Sequence, residues 1–384
     1  MRNWVIPIAL FLGIRAIGIL VLARFCQLRD MSLGNILYAW DGKWMLAIAE
    51  YGYADVPITQ TDARGLHTVD TAFAFFPGYP YLVGAVAKLP LITPFAAAIL
   101  VSLVVSCIAA AGAARLGTEC ARRMAGRSPL ASGRFAEIDP RRVGLILVVL
   151  FAATPMSVVL NMAYTEALFC ALAVWALIGV LEHRWVLAGV CAGLAGLTRP
   201  TAIVLIAVVM LAAFLARRDG VRAWFAMAVS PLGYLAYLGV VWAHTGSPTG
   251  WFRIQTEGWG TEFDWGQAAF IFINDVLINS GEIAPVATAW IIVATLIMLA
   301  VAVWSRMPWP VLLYGALVVA SIVLSSGLMM SRPRLLLPAF VLLLPVALLL
   351  ARWRTSFVVV ALTPIVIGSA WFGAHMLTVY PHAM

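Results

Sequence analysis

The sequence predicts an all-α, polytopic membrane protein, a single integral membrane domain over residues 1–384 with about 11–13 transmembrane helices. Three observations predict it. Hydrophobic residues make up 63% of the chain and charged residues only 11%, whereas a soluble globular domain is about 25% charged. The mean hydropathy is +0.98. Apolar runs close to the ~20 residues that a spanning helix needs also recur along the whole chain.

These runs fall at residues 4–26, 94–114, 143–161, 163–181, 185–198, 200–216, 223–243, 285–304, 309–328, 335–351 and 355–377. The first follows a lone Arg2 and is too long for a signal-peptide core, so an uncleaved first transmembrane helix is expected. Arginines cluster in the segment 115–142, which reads as a cytoplasmic loop because basic residues beside spans favour that side. Arg184, the group at 217–222, Arg306 and the Arg352/Arg354 pair fall on the same side if each later run crosses once. The opposite face then receives a first outer loop at 27–93, a second, aromatic-rich outer loop at 244–284, and the short connections around Glu166, Arg199 and Arg332. Twelve of the seventeen acidic residues lie there, so the polar chemistry converges on the non-cytoplasmic face. The apolar segment 71–90 is short and rich in proline at its start, and is expected to be an interfacial or re-entrant helix.

The net charge of +8 is accounted for by these orienting arginines, and no nucleic-acid partner is expected. The five cysteines lack metal-ligand spacing and lie mostly in apolar runs, as small buried hydrophobes do. The five histidines are scattered, and neither a nucleophile elbow nor a phosphate-binding P-loop is present. No resident cofactor is expected.

Ionisable groups at membrane depth are expensive and mark either function or a structural pair. Asp41, in the stretch YAWDGKWMLAIAEYGY over 38–53, suits a general base at the membrane interface; a helix N-cap is the competing role. A helix from Asp41 onward puts Trp40, Trp44 and Ile48 on one face. Glu166 opens an apolar helix, where the dipole favours an acid, and is placed to orient a substrate hydroxyl or a cation such as Arg199. Arg199 interrupts an apolar stretch just before Pro200, where a broken helix and a guanidinium make a ready phosphate ligand; a salt bridge to Glu166 is the alternative. Arg332 and Arg334 read as a compact basic site on the outer face, against the positive-inside trend, and so as a site for a lipid phosphate. The tryptophans of 244–284 read either as interfacial anchors or as a lid over a sugar or lipid-linked substrate.

Five motifs in order resemble the PIG-V-type mannosyltransferases. Trp40-Asp41-Gly42-Lys43-Trp44 with Ile48-Ala49 and Tyr51-Gly52-Tyr53 is similar to that family's WDxxW/HF…IAxxGY. Phe75–Pro80 resembles its FFPxYP, Ala163–Glu166 its (G/A)Y(S/T)E, Thr198–Pro200 its (T/V)R(S/P), and Ser331–Arg334 its late PR element. Trp44 stands where many members have histidine. The resemblance implies a GT-C glycosyltransferase bundle with amphipathic helices in the first outer loop. It implies a polyprenyl-phosphate mannose donor, a glycolipid or other membrane acceptor, and Asp41 as the catalytic base. Substrate-binding roles are expected for Trp40, Lys43, Trp44, Tyr79, Tyr164, Glu166, Arg199, Arg332 and Arg334 in and around these motifs. Two other classes compete: a flippase or transporter of a lipid-linked sugar, and a non-catalytic membrane subunit of a glycosyltransferase.

Overall fold

The computed structural model describes residues 2–131 and 138–380. The first apolar run folds as α1 (Arg2–Leu28). Two short helices follow, α2 (Leu33–Leu37), whose Asn35 N–H is capped by the Ser32 hydroxyl, and α3 (Asp41–Tyr51). A 3₁₀ turn at Thr71–Ala74 leads into α4 (Gly78–Ala87). Ten residues rise about 15 Å, half the hydrocarbon core of a bilayer, so α4 is too short to cross.

The longest helix is α5 (Pro94–Met124), started by the Thr93 hydroxyl on the Ala96 N–H and by proline at its first position. It carries Arg115, Arg122 and Arg123, which corrects the expected loop at 115–142. Alanine and leucine continue the helix there, and Glu119 pairs with Arg122 at 3.5 Å and Arg123 at 2.9 Å, one turn apart. Arg134 of that stretch lies outside the described residues. α6 (Pro140–Ala152) starts on the Asp139 carboxylate, which accepts the Arg141 N–H.

The apolar middle of the chain then folds as α7 (Glu166–Leu181), α8 (Trp185–Ala195), α9 (Ala202–Leu215), α10 (Val221–Val229) and α11 (Leu232–Thr245). The segment 244–284, expected as a loop, contains two helices, α12 (Gly250–Trp259) and α13 (Gln267–Asn279). After them come α14 (Ile283–Trp304), α15 (Trp309–Val323), the four-residue α16 (Arg332–Leu335), α17 (Leu344–Leu350) and α18 (Thr355–Thr378).

Among the described residues, α1, α5, the nearly continuous α10–α11, α14 and α18 are long and apolar enough to cross a membrane. A sixth span results if the helix bent by 56° between Met329 and Leu350 is one crossing. The remaining expected runs, 143–161, 163–181, 185–198, 200–216 and 309–328, fold as the shorter helices α6, α7, α8, α9 and α15. Turns explain the difference: 153–165 ends the run expected over 143–161 at Ala152, and 196–201 shortens the runs on either side of Arg199.

α5 packs against α4, α6 and α7, and α1 against α18, α6 and α5. Small residues set the α5–α6 approach: a Cβ on Gly117 would lie 3.0 Å from the Gly144 Cα, and one on Gly144 would run into the Ala114 carbonyl. Where helix–helix association has no hydrophobic drive, such close backbone contact supplies dispersion instead. Arg15, buried in the middle of α1, is satisfied by neutral acceptors: Nε donates to Asn161 Oδ1 at 2.6 Å, and Nη1 to the Ala152 carbonyl at 3.0 Å and Ser157 Oγ at 2.6 Å. It thereby serves backbone freed where α6 ends inside the bundle.

The arginine-rich segments gather at one end. Arg115 clamps Glu182 through two bonds of 2.8 and 2.6 Å, Arg123 donates to the Leu181 carbonyl, and Arg142 to the Trp353 carbonyl at 2.5 Å.

Candidate active site

Five turns that are far apart in sequence meet at the other end of the bundle. The chain reaches α3 through Trp40, which adopts φ 51° and ψ −114°, a conformation that non-glycine residues rarely take. This sharp entry presents Asp41 as the first residue of α3. The N-cap position falls to Trp40 and not to Asp41; the Asp41 carboxylate accepts from Arg334 Nη1 at 2.5 Å. Gly42 lets α3 approach the turn before α7, since a Cβ there would meet the Tyr164 ring at 3.3 Å and the Ala163 carbonyl at 3.4 Å. Two hydrogen bonds fix this docking, Ala163 N–H to the Leu37 carbonyl at 2.9 Å and Tyr164 O–H to the Ala39 carbonyl at 2.8 Å.

Behind Asp41 the charges alternate. Arg334 Nε stands 3.6 Å from Glu166 Oε1, and Arg199 Nη1 approaches the same oxygen at 3.2 Å. The two guanidiniums balance the two carboxylates. Each also lies over an aromatic face, Arg334 at 5.1 Å from the Tyr164 centroid and Arg199 at 5.7 Å from that of Phe169. The side chains of Arg334, Glu166 and Arg199 are 8%, 2% and 8% exposed, whereas Asp41 is 33% exposed. Asp41 is thus the member of the network that an incoming molecule can reach. Glu166 Oε2 and the Nε atoms of both Arg199 and Arg334 are buried without a hydrogen-bond partner among the described residues. A polar network with unused donors is expensive to keep in a core, which marks it as functional ground.

The sequence-predicted residues divide into three groups. Asp41, Tyr164, Glu166, Arg199 and Arg334 come together, and the Arg199–Glu166 pairing weighed from the sequence is present. Trp40, half-buried, and Lys43, exposed, stand on either side of Asp41 in the chain. Three others do not face it. Trp44 is buried, stacked on Phe75 at 5.2 Å and edge-on to Trp259 at 6.5 Å. Tyr79 is fully buried, bonded to Ser102 Oγ at 2.8 Å and to the Ala98 carbonyl at 3.0 Å. Arg332 points away from Arg334: its guanidinium donates to the carbonyls of Ile322, Ser325 (2.5 Å) and Ser326 (2.7 Å). It closes the C-terminal end of α15, where the last carbonyls of a helix lack intrahelical donors. The compact basic site expected from Arg332 and Arg334 therefore separates, because α16 projects alternate residues to different sides.

The supporting contacts could not be read from the sequence. Gly78 N–H donates to the Leu197 carbonyl at 2.7 Å, which docks the FFPGYP turn directly on the turn that carries Arg199. Ser102 Oγ donates to the Met162 carbonyl at 2.7 Å and Ser106 Oγ to the Leu160 carbonyl at 3.1 Å. Two hydroxyls four residues apart in apolar α5 were the available signal for this support. Tyr53 donates to the Phe75 carbonyl at 2.7 Å, and burial pushes its phenol well above the ordinary range, so it serves as a donor. Among the described residues, no group of three or more His, Cys, Asp and Glu comes together to hold a metal ion.

An all-helical bundle with these apolar spans and a polar cluster at one end is a multi-pass membrane protein, and its fold is that of the GT-C glycosyltransferases. The structure of ArnT from Cupriavidus metallidurans bound to undecaprenyl phosphate is similar with a TM-score of 0.53 and 13% sequence identity, over 97% of this chain and 75% of that one. The model of glycosyltransferase family 87 matches residues 76–331, and the chain belongs to that family. The match includes Glu166 and Arg199 and stops short of Asp41 and Arg334 at either end. No curated protein sequence matches the chain.

Proposed function

We propose that this glycosyltransferase moves a mannosyl residue from polyprenyl-phosphate mannose to a lipid-linked or glycolipid acceptor on the non-cytoplasmic face, with inversion and with Asp41 as general base. The observation that carries this reading is the exposure gradient of the network: a reachable carboxylate backed by buried guanidiniums. An acceptor hydroxyl gives its proton to Asp41 as its oxygen bonds to the anomeric carbon; the bond from that carbon to the phosphate oxygen breaks, and polyprenyl phosphate leaves with the electron pair on the opposite face. Arg334, bonded to Asp41, and Arg199, behind it across Glu166, act on the charge that develops on the phosphate through their field and not by contact. Trp40 and Lys43 stand beside Asp41 on the approach, while the buried Tyr164, Trp44 and Tyr79 support the turns beneath.

Several findings support the parts of this reading. Undecaprenyl phosphate bound to the similarly folded ArnT supports a polyprenyl-phosphate donor, and the resemblance to PIG-V-type enzymes supports mannose. The arginine-rich end lies opposite Asp41, as it does when the site faces away from the cytoplasm. Membership of a glycosyltransferase family favours an enzyme over a flippase.

The test is transfer from synthetic polyprenyl-phosphate mannose by the purified protein in lipid, with a membrane lipid extract as acceptor. Asp41→Asn should lower turnover roughly 10²–10⁴-fold, the usual contribution of a general base, with donor binding retained. Equal turnover by variant and wild type would remove Asp41 from the chemistry, and transfer of a different sugar would replace mannose.

A further inference from the structure

At the end of the bundle remote from Asp41 lies a cavity of about 480 Å³, within the range that holds small ligands. Its separation from the first site is set by the helices that join them. α7 runs from Glu166 in the network to Leu181 in the cavity, sixteen residues or about 24 Å at the helical rise. α9 likewise begins just after Arg199 and ends with Leu215 in the cavity wall.

Three arginines from two distant parts of the chain line it: Arg123 and Arg127, at and just beyond the end of α5, and Arg306, between α14 and α15; the Arg123 guanidinium is engaged by Glu119 and the Leu181 carbonyl. Arg306 Nη1 donates to the Arg127 carbonyl at 3.4 Å, which ties the two segments together. The nearby acids are engaged elsewhere, Glu119 with Arg122 and Arg123 and Asp219 with His183 and Trp185. Among the described residues, neither Arg127 nor Arg306 has a carboxylate partner. Orientation alone asks only that such arginines lie beside the spans; it does not bring them to one concavity. The walls are apolar, with Leu215 59% and Trp309 44% exposed, and the outer face of α9 continues the apolar surface through Leu211 and Phe214. A polar mouth of arginines over an apolar wall that opens onto exposed hydrophobic helix surface matches a headgroup above its acyl chains.

We infer that this cavity is a phosphate-binding site occupied by the headgroup of an anionic phospholipid, held by Arg127 and Arg306 with its acyl chains along α9. The inference stands on the fold and is independent of the transfer reaction.

Native mass spectrometry of the full-length protein in detergent, titrated with phosphatidylglycerol and with phosphatidylcholine of the same acyl chains, tests it. Phosphatidylglycerol should bind in preference. Arg127→Gln and Arg306→Gln should each weaken it about fivefold, the effect of one basic side chain near an anionic lipid surface. Arg122→Gln, in the last turn of α5 but outside the cavity, should change nothing. Both cavity variants keep the wild-type elution profile if they fold, and the Arg127 variant is the safer of the two because its side chain makes no hydrogen bond within the protein among the described residues. Equal retention of the two lipids by wild type, or unchanged binding by folded Arg127→Gln, would overturn the site. Displacement by millimolar inorganic phosphate would assign it to a soluble anion and overturn the lipid.

Discussion

Replacing Glu166 by glutamine removes one negative charge and leaves the shape unchanged. Arg199 then loses the one carboxylate that faces it, at 3.2 Å, while Arg334 keeps Asp41 at 2.5 Å. At an effective dielectric of about 20, the contacts of Glu166 at 3.2 and 3.6 Å correspond to roughly 5 kcal/mol each before desolvation. Glutamine avoids the cost of burying a carboxylate, which offsets part of that. The net expected loss is about 3–5 kcal/mol, the usual cost of leaving one member of a buried ion pair alone. Glu166→Gln/Arg199→Met removes both charges and should recover most of the lost stability, yet stay inactive if Arg199 helps hold the leaving phosphate. Unfolding of the purified variants in detergent, followed by tryptophan fluorescence, reads the stability, and mannosyl transfer reads the function. If the double variant were as unstable as the single one, an uncompensated Arg199 would not be the cause. If Glu166→Gln were as stable as wild type, the network would not hold the site together.

Other substitutions separate support from chemistry. Arg332→Ala should lower stability by about 1–3 kcal/mol by stripping carbonyl partners at the end of α15, while the donor KM of the folded fraction stays at the wild-type value; a large rise in KM would return Arg332 to the phosphate site. Gly144→Ala forces a methyl into the Ala114 carbonyl and should destabilise by about 1–3 kcal/mol, as overpacking does, measured by the same unfolding assay. Arg15→Leu should cost at least about 2 kcal/mol, because the Ala152 carbonyl, Asn161 and Ser157 lose their donor inside the bundle. Arg15→Lys should recover only part, since a single ammonium nitrogen cannot stand where both Nε and Nη1 of the guanidinium now donate.

The membrane class, the helical fold and most members of the polar network follow from the sequence by itself. Composition and recurring apolar runs are local properties, and a charged side chain in such a context is conspicuous wherever it ends up. Asp41, Glu166, Arg199 and Arg334 could therefore be picked out one at a time. Their pairing could not: that Arg334 rather than Arg332 meets Asp41 depends on which way α16 faces, and this is fixed by carbonyls at the end of α15 that Arg332 satisfies. Tertiary packing likewise moved Trp44 and Tyr79 from the expected site into the layer that supports it. It also decided where the helices stop, because a turn such as 153–165 is tolerated inside the bundle only when residues remote in sequence, Arg15, Ser102 and Ser106, supply its missing hydrogen bonds.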